Sequence, residues 1–160
     1  MDAFIREFSP AKDWGRFAAL NFQTFFDSIP ADDAVSREQF KKLHPESLKR
    51  YVPSEPSRGM ITVAAGSADD YFGHCWLGVQ TEFFTNRPVP WIFDLTVREE
   101  YRGKGIGRLL LKDCMFRVRK MGHVHIGLQV MHHNHRALAF YEREGFTFRS
   151  HGMLLGSIGR

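Results

Sequence analysis

Residues 91–122 read WIFDLTVREEYRGKGIGRLLLKDCMFRVRKMG. This stretch limits what the chain can fold into more than any other. Residues 91–97 read as a strand and 98–101 as a short polar turn. Arg102, Gly103, Lys104, Gly105, Ile106 and Gly107 follow, and then an amphipathic helix that Gly122 stops. Three glycines in five residues let the backbone adopt positive φ and come close to a ligand. A helix that begins at such a turn aims its unpaired N–H groups and the positive end of its dipole at one spot. That is an anion site, most naturally one for phosphate. Arg102, Lys104 and Arg108 add positive charge around it. The plain alternative is a tight strand-to-helix connection with no ligand. The spacing matches neither G-x-x-x-x-G-K-[ST] nor G-x-G-x-x-G, which sets aside the two common nucleotide loops.

The rest of the chain supplies elements on both sides. Residues 4–8 alternate as a first strand. Ser9 and Pro10 open a helix whose stripe is Trp14, Phe17, Ala18, Asn21, Phe22 and Phe25. Phe25 and Phe26 can also be read as lying over a pocket. Ser36 and Gln39 form the ends of a capping box on a second, short helix, and 45–59 reads as a loop, or as a helix fragment followed by a loop that could cover a site. Residues 60–65 and 71–80 form a hairpin about a turn at 66–70, and 81–90 is a proline-bearing connection. After the glycine loop and its helix come a strand at 124–130, a helix at 134–144 and two closing strands at 146–149 and 153–155. The order implies a single α/β domain over 1–160, with a mixed sheet and a strand-helix-strand crossover at its centre.

A second pattern lies downstream: Asn134-x-x-Ala137-x-x-Phe140-Tyr141-x-x-x-Gly145-Phe146. One helix and one strand separate it from the R-x-x-G-x-G run of Arg102, Gly105 and Gly107. Together the two patterns resemble the signatures of the GNAT superfamily of acyl-CoA-dependent N-acetyltransferases, over roughly the last 70 residues. The N-terminal half agrees in element order only. The resemblance implies a GNAT-like fold, with a central mixed sheet of about seven strands flanked by about four helices.

It also implies roles. Acetyl-CoA is the co-substrate, and a primary amine on a small molecule, peptide or protein is the acceptor. Backbone N–H groups from Arg102 through Gly103, Lys104, Gly105, Ile106 and Gly107 would hold the pyrophosphate, with Arg108 close by. Main-chain groups of Leu95 and Val97 would pair with the pantetheine arm. An N–H near Leu95 or Thr96 would polarise the thioester carbonyl, Asn134 would line the arm, and Tyr141 would protonate the departing thiolate. Many relatives carry a glutamate on the central strand as general base, whereas here the only acid on that strand is Asp94. Asp94 is either that base or an anchor, with Glu82 and His74 as further candidates for the base. The missing glutamate leaves an alternative open, a coenzyme-A-binding regulatory module without catalysis.

Composition narrows the remaining choices. Apolar residues are 43% and charged residues 25%, which argues for a globular chain. The 22 Lys and Arg against 18 Asp and Glu suit an anionic small ligand, but the clusters read as solvated surface, so no nucleic-acid partner is expected. Cys75 and Cys114 read as buried free thiols of a reducing compartment. No signal core and no membrane-length run is evident, so a cytoplasmic protein is expected, with a homodimer admissible. The histidines, including His132, His133 and His135, lack zinc-like spacing, and no metal is expected.

Overall fold

The computed structural model describes residues 2–51 and 59–153. Five strands form one sheet in the order β1 (Phe4–Glu7), β2 (Gly59–Ala65), β3 (Gly73–Thr81), β4 (Pro88–Val97) and β5 (Gly127–Leu128). Neighbours among β1 to β4 pair antiparallel, and β5 joins β4 in parallel. The helices are α1 (Pro10–Asp27), α2 (Arg37–Tyr51), α3 (Ile106–Lys120) and α4 (His135–Arg143). The expected mixed sheet and its β4-α3-β5 crossover are both present.

The helices divide between the two faces because the strands alternate. Phe17 of α1 and Leu48 of α2 pack on Ile61, Val63 and Trp76. On the other face Leu110, Leu111, Cys114 and Val118 of α3 pack on Ala64, Cys75, Leu77 and Ile92, joined by Phe140 and Tyr141 of α4. Both cysteines are buried and free, as expected.

Several boundaries differ from expectation. The sheet has five strands rather than about seven among the described residues: 146–150 carries no regular structure, and 154–155 lies outside the described residues. The strand expected at 124–130 is reduced to Gly127–Leu128. Its alternation does not face a core end to end, since Val124 is exposed. Gly127 also admits the Trp91 ring, which any Cβ there would overlap. α2 runs through Pro45, in line with the reading of 45–59 as a helix fragment before a loop rather than a loop throughout. An interior proline costs about 3 kcal/mol. His44 and Leu48, both buried on either side of it, offset that cost through a hydrogen bond and apolar burial.

The helix starts are held in two ways. At α2 the capping box forms as read, with Gln39 N–H to Ser36 Oγ at 3.2 Å and Ser36 N–H to Gln39 Oε1 at 2.8 Å. At α1 the Ser9 hydroxyl makes no cap. Instead the buried Asp13 carboxylate takes the Ser9 N–H at 2.8 Å and both Arg6 Nη atoms at 2.6 and 2.8 Å. Trp14, the first residue of the α1 stripe, is half exposed.

One irregularity positions everything that follows. β3 and β4 keep register from Gly73↔Val97 to Trp76↔Asp94, but Leu77 then lies opposite Ile92. Phe93 is the extra residue of a β-bulge.

Candidate active site

The glycine turn ends in an open cradle of donors. Gly103 and Gly105 have φ of +76° and +82°, the left-handed region in which a side chain is strained. Gly105 occupies the N-cap position of α3 without a side-chain cap, and the first turn contains no acid. Leu109 N–H reaches Gly105 O at 3.0 Å, whereas the N–H groups from Gly103 to Arg108 have no acceptor in hydrogen-bonding geometry among the described residues. These donors and the helix dipole, worth about half a positive charge, converge on one place.

The surrounding side chains tie the cradle to the sheet. Ile106 is buried in the core. Gly107 faces Leu95, Val97 and Phe140, whose atoms lie 3.7–3.8 Å from where a Cβ would sit. Arg102 Nε donates to Val97 O at 2.9 Å. Lys104 Nζ lies 5.6 Å from the Tyr101 ring centre. Arg108 Nε pairs with Glu144 Oε1 at 2.7 Å, which joins α3 to the end of α4.

Beside the cradle, the β5-side edge of β4 beyond Ile92 has no strand partner among the described residues. It pairs with β5 only at Trp91 and Ile92. Arg98 N–H bonds Phe72 O on the β3 side at 2.9 Å. Main-chain groups alternate along an antiparallel strand, so Thr96 also turns toward β3. Leu95 and Val97 turn away from it, and the Arg102 bond to Val97 O agrees with that direction. Of the two N–H groups expected near a thioester carbonyl, that of Leu95 faces the gap and that of Thr96 faces its neighbour strand. Where the gap opens, a groove of about 500 Å³ is lined by Val79, Gln80, Thr81, Trp91, Ile92, Phe93 and Gln129.

Tyr141 packs on Phe140 and Phe146 and joins the apolar cluster that holds Leu95 and Val97. Burial raises its ionisation well above the usual phenol range, so it carries its proton throughout neutral pH. Asn134 caps α4, its Oδ1 accepting Ala137 N–H at 3.1 Å.

Asp94 and Thr96 point to the opposite face, into a polar cluster that the sequence reading did not assemble. Asp94 Oδ2 accepts from Asn21 Nδ2 at 2.6 Å and from His74 Nε2 at 2.8 Å, and Oδ1 accepts from Thr96 Oγ1 at 2.6 Å. Tyr71, kept as a phenol by burial, donates to His74 Nδ1 at 2.8 Å. His44 bonds Asn21 Oδ1 through Nε2 at 2.8 Å, and burial lowers its proton affinity, so it donates as a neutral ring. Thr24 Oγ1 lies 3.0 Å from Thr96 Oγ1. The available signal was Asn21 itself, a polar residue within an apolar helical stripe, which needs a buried partner.

Known proteins resemble this chain in sequence and in fold. The model of the Acetyltransferase (GNAT) family matches residues 25–146. The chain is 24% identical over 155 residues to the uncharacterized N-acetyltransferase YdgE of Bacillus subtilis, covering 91% of this chain and 92% of that one. It is 34% identical over 87 residues to a mycothiol acetyltransferase of Propionibacterium freudenreichii subsp. shermanii, covering 54% of this chain and only 27% of that relative's length. A proposed acetyl transferase from Pyrococcus furiosus shares the fold at a TM-score of 0.81 and 21% identity, over 96% of this chain and 99% of that one.

Proposed function

The chain belongs to the acetyltransferase (GNAT) family, and from that premise we propose that it transfers an acetyl group from acetyl-CoA to a primary amine by direct attack in a ternary complex. The observation that carries this reading is the row of unpaired N–H groups from Gly103 to Arg108, set against the bare edge of β4. A diphosphate fits the row, since it offers several acceptor oxygens and negative charge to fixed donors and a helix dipole. Val97 N–H and the main chain of Leu95 are suited to an amide-bearing arm lying along β4. Val97 O is already engaged by Arg102.

In the proposed reaction the amine nitrogen bonds the acetyl carbonyl carbon and the carbon–sulfur bond breaks. Leu95 N–H is aimed where negative charge grows on the carbonyl oxygen, and such fixed donors supply several kcal/mol. Holding amine and thioester together supplies much of the remainder. Tyr141, still protonated, gives its proton to the leaving sulfur, and the proton that the attacking amine sheds returns to the phenolate through water. The groove beside Trp91, Phe93 and Gln129 admits the acceptor. Asp94 suits an anchor better than a base in contact with the amine. It is 5% exposed and already holds three donors. Asn134 serves mainly as the cap that sets α4, and through it Tyr141.

Relatives carry different names, among them mycothiol acetyltransferase and streptothricin acetyltransferase, so kinship does not choose an acceptor. The test is thiol release from acetyl-CoA with polyamines, amino acids, aminoglycosides and peptide N-termini. Acceptor-dependent release supports the proposal. Tight coenzyme binding with no release from any acceptor favours the regulatory module.

A further inference from the structure

The buried cluster around Asp94 does none of the work assigned above, yet it grips β4 at the residue next to the bulge. Resting on the acetyl-transfer reading, we propose that His74, together with Asn21 and Thr96, is a positioning residue of the reaction. By holding the Asp94 carboxylate, these side chains fix the bulge at Phe93, and the bulge turns Leu95 N–H into the gap beside β5.

Two registers compete in β4. In the observed one, Trp76 faces Asp94, Leu77 faces Ile92, and Phe93 is extra. Without the extra residue, each side chain and peptide group beyond it would reverse. Asp94 would then enter the cluster of Cys75, Leu77, Ile106 and Leu110, which is apolar. Leu95 would enter the polar cluster, and its N–H would turn toward β3. A carboxylate in an apolar core is strongly disfavoured. On the α1 and α2 face the same carboxylate meets donors from three elements: Asn21 on α1, His74 on β3 and Thr96 on β4. The choice of register therefore rests on those donors.

The donors are themselves fixed. Tyr71 O–H on His74 Nδ1 leaves the Nε2 proton for Asp94. His44 on Asn21 Oδ1 turns the amide nitrogen toward the carboxylate. His74 and Asn21 have no exposed surface. The cluster thus reads as a clamp between α1, α2, β3 and β4. It lies on the opposite face from Tyr141 and Leu110, and away from the phosphate cradle.

The experiment uses His74→Phe, His74→Gln and Thr96→Val in the full chain, with folding checked by urea unfolding. Acetyl-CoA affinity is measured by calorimetry, and turnover by thiol release. The carbonyl stretch of bound acetyl-CoA, labelled with carbon-13 at the carbonyl, is read by difference infrared spectroscopy. His74→Phe and Thr96→Val are expected to bind acetyl-CoA within ~3-fold of the parent and turn over at least ~30-fold more slowly, as loss of an aligned oxyanion donor implies. Their carbonyl band should move back toward its solution position. His74→Gln, whose amide can still donate to Asp94, should restore most of both readouts. If His74→Phe does not fold, Thr96→Val, which only exchanges a hydroxyl for a methyl, carries the test.

A Thr96→Val protein with parental turnover and parental band overturns the proposal. So does a fall in affinity that matches the fall in rate across the variants, which would mean that the cluster shapes the whole cleft. Should the parent bind acetyl-CoA and never release thiol, the acetyl-transfer reading fails. The carbonyl band of the bound coenzyme then decides separately whether the clamp aligns Leu95.

Discussion

Replacing Asn21 with leucine tests whether the Asp94 cluster is as tightly coupled as its distances imply. Asn21 is fully buried and serves two partners, donating to Asp94 at 2.6 Å and accepting from His44 at 2.8 Å. Loss of the bond to a carboxylate costs about 1.5–3 kcal/mol, and the His44 N–H left without a partner costs about 1–3 more. The added apolar burial of leucine returns about 1 kcal/mol. The expected net loss is about 1.5–5 kcal/mol, which for a chain of this size lowers Tm by roughly 3–20 °C. His44 is flanked by Phe22, Phe25 and Phe40, so His44→Phe in the same chain replaces the orphaned ring with one that suits its neighbours. The double variant should be about 1–2 kcal/mol more stable than additivity allows. Urea unfolding at pH 7 followed by two probes measures both quantities. A loss under about 1 kcal/mol for Asn21→Leu, or strict additivity in the cycle, would refute the coupling.

Further outcomes can be checked alongside it. Gly127→Ala should cost about 1–3 kcal/mol or more, because its methyl overlaps the Trp91 ring and must push β5 off β4; hydrogen exchange at Leu128 reports it, and unchanged protection would contradict the overlap. Burial works against the Asp13 charge, but the hydrogen bonds from Arg6 and Ser9 N–H prevail and hold its carboxyl below the usual range. Its contribution is therefore full above the unfolded aspartate value of about 3.9 and is lost as pH falls through the lower folded value. Urea midpoints against pH should fall less steeply in acid for Asp13→Asn than for the parent, and equal slopes would count against the assignment. Tyr141→Phe should lower turnover at least ~10-fold with coenzyme affinity nearly unchanged; an unaltered rate removes the acid role.

Features set by local backbone geometry were the most legible in this fold, for physical reasons. The glycine turn and the capping box of Ser36 and Gln39 act through local backbone geometry, which neighbours in sequence encode directly; Asn134, expected to line the arm, turned out to cap α4. The Phe93 bulge was invisible because it depends on what Asp94 meets across the sheet, and those partners lie 20 residues away at His74 and 73 away at Asn21. α2 continued past Pro45 because tertiary burial outweighed a local rule. The 124–130 strand was overread because alternation shows which side chains share a face and says nothing of how many residues find a partner strand. Asn21 was named within its helical stripe, but only the fold shows that the stripe closes over a carboxylate.

The central claim is that the main-chain donors between Gly103 and Arg108 grip the diphosphate of an acyl-coenzyme. Calorimetric titration of the folded chain with acetyl-CoA tests it most directly, run beside Gly105→Glu and Gly105→Ala. Both variants carry the same strain at φ +82°, and a Cβ there meets no neighbour within 4 Å, so what separates them is the negative charge and bulk that glutamate places at the cradle. The expected result is one saturable site of ~1 μM–1 mM affinity in the parent, modest weakening in Gly105→Ala, and at least ~10-fold weakening in Gly105→Glu. No saturable heat from the folded parent, or equal binding by Gly105→Glu and Gly105→Ala, would contradict it.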